Sequence, residues 1–192
     1  MPATYIISDP HFGHSGVCKF LRDDGITKLR PWNTAEEMDE ALIENWNSAV
    51  KPKDKIYVLG DVVINRRSLK TLSRLNGDKV LIKGNHDIFK LEEYTAFFRD
   101  IRSYHVMNGM ILSHIPIHVD SIARFGCNIH GHLHHRRITM IDHSGKISID
   151  PKYFNVSVEC IDYKPILFEA LCEKIKEQGG TVGFSQNRSV IM

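Results

Sequence analysis

The stretch Val80-Leu81-Ile82-Lys83-Gly84-Asn85-His86-Asp87 carries a short apolar run directly into a cluster of polar side chains. The aliphatic run is typical of a buried strand, and the polar residues lie where that strand ends. Two earlier stretches, Tyr5 to His11 and Ile56 to Asp61, repeat this arrangement. A side chain at the point where a buried strand emerges into a loop is held by a rigid scaffold and still reaches solvent. Several strands that end in this way predict one shared site.

Metal-capable side chains follow these runs and continue into the second half of the chain. The full set is Asp9, His11, Asp61, Asn85, His114, His132 and His134. Carboxylate, imidazole and amide oxygen donors together suit manganese, iron, zinc or nickel, whereas a structural zinc site normally uses thiolates. Seven ligands exceed what one ion takes, so the residue types predict two divalent metal ions. If Asp61 bridges two ions about 4 Å apart, the pair can hold a hydroxide that attacks a phosphoryl centre.

Two of these motifs place their ligands two residues apart: Asp9 with His11, and His132 with His134. In an extended segment, residues two apart project from the same side. Pro10 also favours an extended conformation for the residue before it, Asp9. We therefore expect both pairs to lie in extended segments, with each pair directed at one place.

The first half of the sequence alternates between predicted strands and predicted helices. Apolar residues at helical spacing predict a long helix over Thr34 to Val50, and Thr34 with Glu37 fits a capping box. A shorter helix is predicted over Ser68 to Leu75, where the following Asn76-Gly77 would end it. This alternation indicates an α/β organisation in the first half.

The second half has a different character, because Asn108-Gly109 between two apolar runs is a strong signal for a tight hairpin. We expect this half to be antiparallel and to end in a helix. The predicted strands are Arg137 to Ile141, Ile147 to Ile149 and Phe154 to Ile161. The predicted helix is Ile166 to Glu177.

Length and composition set broad limits on the protein. The chain has 192 residues, 42% of them hydrophobic, which suffices for the core of one domain. Its four cysteines lack Cys-x-x-Cys spacing and no signal peptide is evident, so we expect reduced thiols and a cytoplasmic location. No apolar run approaches the roughly 20 residues of a membrane helix. The net charge of +2 neither indicates nor excludes nucleic acid, and nothing in the sequence sets the oligomeric state.

The ordered set Asp-x-His, Gly-Asp, Gly-Asn-His-Asp, His and Gly-His-x-His, between residues 9 and 134, resembles the calcineurin-like metallophosphoesterase family. The resemblance implies an α/β (α+β) fold, a four-layer αββα sandwich of two mixed sheets flanked by helices. Its metal centre would lie at the strand ends, and manganese would be the expected metal. We assign residues 1–178 to this domain and residues 179–192 to a loosely held C-terminal tail.

The same resemblance implies how the ligands divide between two ions. One ion would take Asp9, His11 and His134, the other would take Asn85, His114 and His132, and Asp61 would bridge them. His86 would not bind metal but would approach the phosphoryl oxygen or the leaving group, where an imidazolium can stabilise charge or donate a proton. Asp87 would orient the ring of His86, although a local turn or cap is an ordinary alternative role for an aspartate.

Candidate substrate contacts lie close to these motifs. His14 follows the first ligands and could contact the non-bridging phosphate oxygens, as could Asn85, although a solvated loop histidine is an alternative for His14. Arg30 beside Trp32 could bind phosphate while the indole stacks on a base. Alternatively, Trp32 is a hydrophobic staple for the long helix and Arg30 is a surface charge.

The family covers phosphomonoesterases, phosphodiesterases, nucleases and protein phosphatases, so the fold does not choose the substrate. Because the motifs occupy most of the chain, little sequence remains for a cap domain, and we expect an open site. This favours a phosphodiesterase acting on small or nucleotide-like phosphodiesters. A phosphomonoesterase is the nearest alternative, followed by a nuclease and by a metal-binding scaffold that has lost activity. The intact His86 argues against the scaffold.

Overall fold

Within residues 2–185, which the computed structural model describes, the strands form two sheets and a separate hairpin. The strands in chain order are β1 Thr4–Ile7, β2 Lys55–Val58, β3 Asp78–Ile82, β4 Asp100–Arg102, β5 Tyr104–Met107, β6 Met110–Ser113, β7 Asn128–His130, β8 Thr139–Ile141, β9 Ile147–Ile149, β10 Tyr153–Asn155 and β11 Ile166–Leu167. The α-helices are α1 Ala35–Ala49, α2 Leu91–Thr95 and α3 Phe168–Glu177. The 3₁₀ helices are Arg66–Arg74, Val119–Ile122 and Val158–Cys160.

Both sheets are mixed. The first has the order β11-β1-β2-β3-β4, in which β1 to β4 are parallel and β11 is antiparallel to β1. The second has the order β10-β7-β6-β5, in which β10, β7 and β6 are parallel and β5 is antiparallel to β6. A parallel bridge between Ser8 and Ser157 joins the ends of β1 and β10, so the two sheets meet at one edge.

The two sheets share one apolar core. Ile6 and Val58 from the first sheet and Leu112 and Ile129 from the second belong to the same cluster and are fully buried. Helix α1 adds Trp46, whose indole Nε1 donates to the carbonyl oxygen of Asn76 at 2.9 Å. None of the helices within residues 2–185 is long and apolar enough to cross a membrane.

The predicted helix start at Thr34 agrees with the structure. The side chain of Thr34 accepts a hydrogen bond from the backbone nitrogen of Glu37 at 3.1 Å. The Glu37 carboxylate in turn accepts from the backbone nitrogen of Asn33 at 3.0 Å, one residue earlier than an ordinary capping box. The two mixed sheets with helices confirm the predicted fold class.

Several predicted elements differ from the structure. The second half is not purely antiparallel, because β6, β7 and β10 pair in parallel and leave only β5–β6 and β8–β9 as hairpins. The region predicted as the α-helix Ser68 to Leu75 is the 3₁₀ segment Arg66–Arg74, capped by the side chain of Asn65. The predicted strand Phe154 to Ile161 ends at Asn155, since residues 158–160 turn into a 3₁₀ segment.

The division at residue 178 stays a prediction, but the described part of the predicted tail forms specific backbone contacts. The backbone nitrogen of Gly126 donates to Gly183, and that of Ser185 donates to Arg124. Phe125 and Phe184 form an antiparallel bridge with their ring centroids 6.2 Å apart. Residues 180–185 therefore pack against the loop before β7. Residues 186–192 lie outside the described range.

Candidate metal centre

The metal-capable side chains converge at the carboxyl ends of the parallel strands of both sheets. Asp9, Asp61 and Asn85 follow β1, β2 and β3 in the first sheet. His114 follows β6, and the His132 loop follows β7 in the second sheet. Because the carboxyl ends of parallel strands lie at the same edge of a sheet, and the two sheets meet at that edge, residues distant in sequence are brought to one place.

A first cluster contains Asp9, His11 and His134. Ligand atoms of these three residues all lie within 4.8 Å of one another. Oδ2 of Asp9 accepts from the backbone nitrogen of His132 and from the hydroxyl of Ser157, both at 2.9 Å. Among the described residues, Oδ1 of Asp9 and both ring nitrogens of His11 lack a hydrogen-bond partner. Buried polar atoms normally have a partner, and a bound cation would supply one for these atoms.

A second cluster contains Asp61, His114 and His132, with ligand atoms again within 4.8 Å of one another. Nε2 of His114 lies 3.3 Å from Oδ2 of Asp61 and 2.9 Å from Oδ1 of Asn85. Nδ1 of His114 lies 2.7 Å from the carbonyl oxygen of Leu59, which can only accept, so Nδ1 carries a proton. In the neutral ring, Nε2 is then the nitrogen that can bind a metal.

Asp61 lies between the two clusters. Its Oδ2 is 3.3 Å from His114 in the second cluster and 3.7 Å from Nε2 of His11 in the first. Its Oδ1 accepts from the backbone nitrogen of His86 at 2.8 Å. A carboxylate in this position could contact both ions of a metal pair.

The pKa values of Asp9 and His114 reflect the close approach of carboxylates and imidazoles in this site. Burial raises the pKa of Asp9, but the nearby ring of His11 and the charges of His114 and His134 outweigh burial and hold the pKa below its ordinary value. Burial lowers the pKa of His114, yet Asp61 and Asp9 raise it to about 9. A site that favours a proton on a buried imidazole stabilises positive charge, which divalent cations would supply.

The backbone at the ligands is not extended, so that prediction is wrong. The φ angles lie in the left-handed region for Asp9 (57°), His11 (53°), Asp61 (53°), His132 (67°) and His134 (51°). This conformation costs a non-glycine residue of order 1–3 kcal/mol and persists only where the surroundings enforce it. Both pairs nevertheless reach the same centre, because tight turns rather than strand alternation direct their side chains inward.

Two glycines allow the carboxylates to approach the backbone closely. A Cβ atom on Gly84 would lie 2.3 Å from Oδ1 of Asp61, and one on Gly131 would lie 2.3 Å from Oδ2 of Asp9. Real Cβ atoms do not come so close to an oxygen. The glycines in Gly84-Asn85 and Gly131-His132 are therefore required by the packing around Asp9 and Asp61.

Asp87 does not orient the ring of His86 as predicted. Its buried carboxylate accepts hydrogen bonds from the backbone nitrogens of Asp61 (2.9 Å), Val62 (3.0 Å) and Gly84 (2.8 Å). Asp87 thus ties the loop after β2 to the loop after β3. This is a positioning role for the loops that carry Asp61 and Asn85.

His86 and Asn85 are exposed at the mouth of the centre. The ring centroid of His86 lies 5.6 Å from that of His11, with the rings edge to face. His14 lies on another side, also 5.6 Å from His11 between ring centroids. Nδ1 of His14 accepts from the backbone nitrogen of Val17 at 3.0 Å, so in the neutral ring Nε2 carries the proton and can donate. Burial and the charge of His11 lower the pKa of His14 to about 4.

The prediction that Arg30 contacts substrate is wrong, since its side chain is fully buried. Its guanidinium donates to the carbonyl oxygens of Asp9 at 2.6 Å and Pro10 at 2.7 Å. It also donates through Nε to Oε1 of Glu159 at 2.8 Å. Arg30 therefore fixes the backbone of the first ligand loop.

The Trp32 ring packs edge to face on the ring of Tyr163, with the ring centroids 4.8 Å apart.

Sequence reasoning missed Glu159 and Ser157. Oε1 of Glu159 lies 3.1 Å from Nδ1 of His134, and the hydroxyl of Ser157 donates to Asp9. One signal was available, because Glu159 is the single charge within the apolar stretch Val156-Ser157-Val158-Glu159-Cys160-Ile161. A charge inside such a run is paired when it is buried.

Comparison with known proteins extends these observations. The uncharacterised protein MJ1445 of Methanocaldococcus jannaschii is 36% identical over 190 residues, which cover 95% of this chain and 96% of that protein. The gene 66 protein of Mycobacterium phage L5 is 33% identical over 94 residues, which cover 45% of this chain and 41% of that protein. AQ665 from Aquifex aeolicus, a solved protein of unknown function, superposes with a TM-score of 0.65 at 24% identity, covering 91% of this chain and 100% of that one.

The model of the calcineurin-like phosphoesterase family matches residues 3–169. The matched span runs from β1 into α3 and contains both candidate metal clusters together with His86 and Glu159. The chain belongs to the calcineurin-like phosphoesterase family.

Proposed function

We propose that the protein is a phosphodiesterase that hydrolyses small or nucleotide-like phosphodiesters with the help of two divalent metal ions, most readily manganese. Its family supports phosphoester hydrolysis in general. The observation that carries the proposal is the placement of Asp61 between two metal-capable clusters, with His86 exposed beside them.

The residues present fit two divalent ions. One ion would be held by Asp9, His11 and His134, the other by Asn85, His114 and His132, and Asp61 would contact both. When bound, such a pair supplies Lewis acidity toward phosphoryl oxygens and lowers the pKa of a water nucleophile. Imidazole and carboxylate donors without thiolates agree with manganese, iron, zinc or nickel.

The remaining residues act on the substrate itself. The exposed ring of His86 can donate a hydrogen bond or a proton to the oxygen of the departing alcohol. Nε2 of His14 carries a proton in the neutral ring and can donate to a non-bridging phosphate oxygen. Asp87 and Arg30 touch no substrate and instead hold the loops that carry the ligands.

The preference for diesters is supported by the open mouth of the centre. A phosphodiester carries an organic group on each side of phosphorus, so a site for it needs room in two directions. Asn85 and His86 are exposed, and within residues 2–185 no separate cap domain covers them.

We also place the protein in the cytoplasm, since Cys18, Cys127, Cys160 and Cys172 are all free.

The direct test compares manganese-dependent hydrolysis of bis(p-nitrophenyl) phosphate and p-nitrophenyl phosphate by metal-stripped and reconstituted protein. Preference for the diester supports the proposal, whereas preference for the monoester makes the protein a phosphatase. The Asp61→Ala variant controls for contaminating activity. Turnover of neither compound with any of the four metals would argue against the proposed activity.

A further inference from the structure

A groove of about 350 Å³ opens beside the second metal-capable cluster, on the side of Asn85 and His114. It lies at the step from β4 to β5, where the chain passes from the first sheet to the second, because Ser103 connects these strands and lines the groove. His114 of that cluster and the neighbouring Asn85 both line the groove, and Oδ1 of Asn85 lies 2.9 Å from Nε2 of His114. A ligand in this groove would therefore be in direct reach of a phosphoryl group at the centre.

One wall comes from the loop after β6. Ile115 is 51% exposed and lies next to His114, while Ile117 is half-buried further along the loop. Tyr104 stands beside this wall, because it pairs with Ser113 across the β5–β6 ladder. Tyr104 is 56% exposed, although aromatic residues of this size are usually largely covered. Lys83 also lines the groove.

The wall that carries Ile115 and Ile117 is rigid. The fully buried side chain of Asn128 accepts from the backbone nitrogen of Ile117 at 2.9 Å and donates to the hydroxyl of Ser113 at 2.9 Å. The hydroxyl of Tyr153 donates to the carbonyl oxygen of Ile117 at 2.8 Å. Buried polar groups thus fix a loop whose apolar side chains face solvent, as expected of a preformed binding wall.

We infer that this groove binds an aromatic ester group of the substrate, with Tyr104 and Ile115 as its contact residues. An exposed phenol ring beside an exposed aliphatic side chain offers a flat apolar surface of the kind on which a base or another aromatic ring packs. The inference deepens the proposed function and rests on it for the position of the phosphoryl group. The proposed substrate class is phosphoesters whose alcohol carries an aromatic ring, nucleosides included.

A second exposed aromatic residue provides an internal control. Phe20 is 50% exposed, but it lies on the other side of the centre, where its ring is 5.8 Å from that of His14 between centroids. It does not line the groove. Phe20→Ala therefore removes an exposed ring near the centre without touching the groove.

The experiment measures binding of phenylphosphonate and methylphosphonate to the manganese-loaded protein by calorimetry. We expect the wild-type protein to bind the phenyl compound about tenfold more tightly, as ring burial allows. This preference should fall to about threefold or less in Tyr104→Ala and in Ile115→Ala. It should persist in Tyr104→Phe, which keeps the ring, and in Phe20→Ala.

Equal affinity of the wild-type protein for the two phosphonates, or binding of neither, overturns the inference. So does loss of the preference in Phe20→Ala with its retention in Tyr104→Ala. Phosphonates are not hydrolysed, so these outcomes are independent of turnover. Failure of the proposed function would be seen instead as absence of hydrolysis in a protein that still prefers the phenyl compound.

Discussion

Nδ1 of His134 lies 3.1 Å from Oε1 of Glu159, a carboxylate whose side chain is completely buried. Burial raises the pKa of Glu159, but the charge of Arg30 and the hydrogen bond from His134 outweigh it and lower the pKa. An ionised carboxylate only accepts, so the ring proton of His134 stays on Nδ1. Nε2 is thereby left for a metal ion, with its basicity raised by the carboxylate behind it.

Replacing this carboxylate should weaken metal binding. We expect Glu159→Gln to reduce the affinity of the first cluster for manganese by about tenfold to a hundredfold, as loss of such a partner does elsewhere. Calorimetric titration of metal-stripped protein measures the effect. Glu173→Gln is a matched control, because Glu173 is exposed and pairs with Lys176 on the surface of α3. Unchanged affinity in Glu159→Gln would contradict the orienting role.

Metal binding and catalysis should separate between Asp61 and His86. Asp61→Ala removes the carboxylate between the two clusters, and we expect loss of bound metal together with activity. His86→Ala should keep the metal and lose rate by about a hundredfold or more, because general acid assistance contributes on that scale. Metal analysis beside kcat for each variant distinguishes the two roles. Equal metal loss in both variants would show the division to be wrong.

Asp87 should matter for stability even without metal. Its carboxylate accepts from three backbone nitrogens, and the amide of an asparagine would present a donor to at least one of them. We expect Asp87→Asn to lower the free energy of unfolding by about 2 kcal/mol, the usual cost of a buried unpaired donor. Urea denaturation in the presence of a chelator measures it. The exposed Asp120 gives the control Asp120→Asn, for which no such loss is expected.

Asp39 should make stability depend on pH. Burial raises its pKa from about 3.8 to about 6, although its two oxygens accept from the backbone nitrogen of Gly13. Between pH 4 and pH 6 the Asp39 carboxyl holds a proton more often in the folded protein than in the unfolded chain. The contribution of Asp39 to the free energy of unfolding of the wild type therefore decreases as pH rises through this range. We expect the unfolding free energy of Asp39→Asn, minus that of the wild type, to increase from pH 4 to pH 6.

Chemical denaturation of the metal-free proteins at each pH measures this difference. Asp142→Asn is a control of opposite sign, because the hydroxyl of Ser144 and backbone hydrogen bonds lower the pKa of Asp142. Its contribution to stability is present above the unfolded pKa and is lost as pH falls. A flat difference for Asp39→Asn would mean that its carboxyl titrates at its ordinary pKa in the folded state.

The sequence predicted strands β1, β2 and β3 of the first sheet because the signals for them are local. It did not predict β4, and it assigned Ile166 to the closing helix, whereas Ile166–Leu167 is strand β11. Each apolar run before Asp9, Asp61 and Asn85 is a strand of the structure, and the long helix begins beside the predicted cap at Thr34. Local patterns of this kind depend on neighbouring residues alone. Parallel pairing of β6, β7 and β10 depends on contacts between distant segments, and hairpin signals between neighbours do not reveal it.

The roles of polar residues were harder to predict than their importance. Arg30 and Asp87 both lie at the site, yet both point inward to hold backbone rather than outward to substrate or to His86. Whether a charged side chain faces solvent or the interior is decided by the fold around it. Glu159 was overlooked for the same reason, since its partner His134 is 25 residues away in the chain.

Each candidate cluster draws its residues from both sheets. Asp9 and His11 follow β1 while His134 follows β7, and Asp61 follows β2 while His114 follows β6. A bound ion would therefore cross-link the carboxyl ends of the two sheets, which are also joined by the Ser8–Ser157 bridge and by the hydrogen bond from His132 to Asp9. Fragments divided at the step from β4 to β5 would each carry an incomplete ligand set. Their reassembly should then depend on divalent metal.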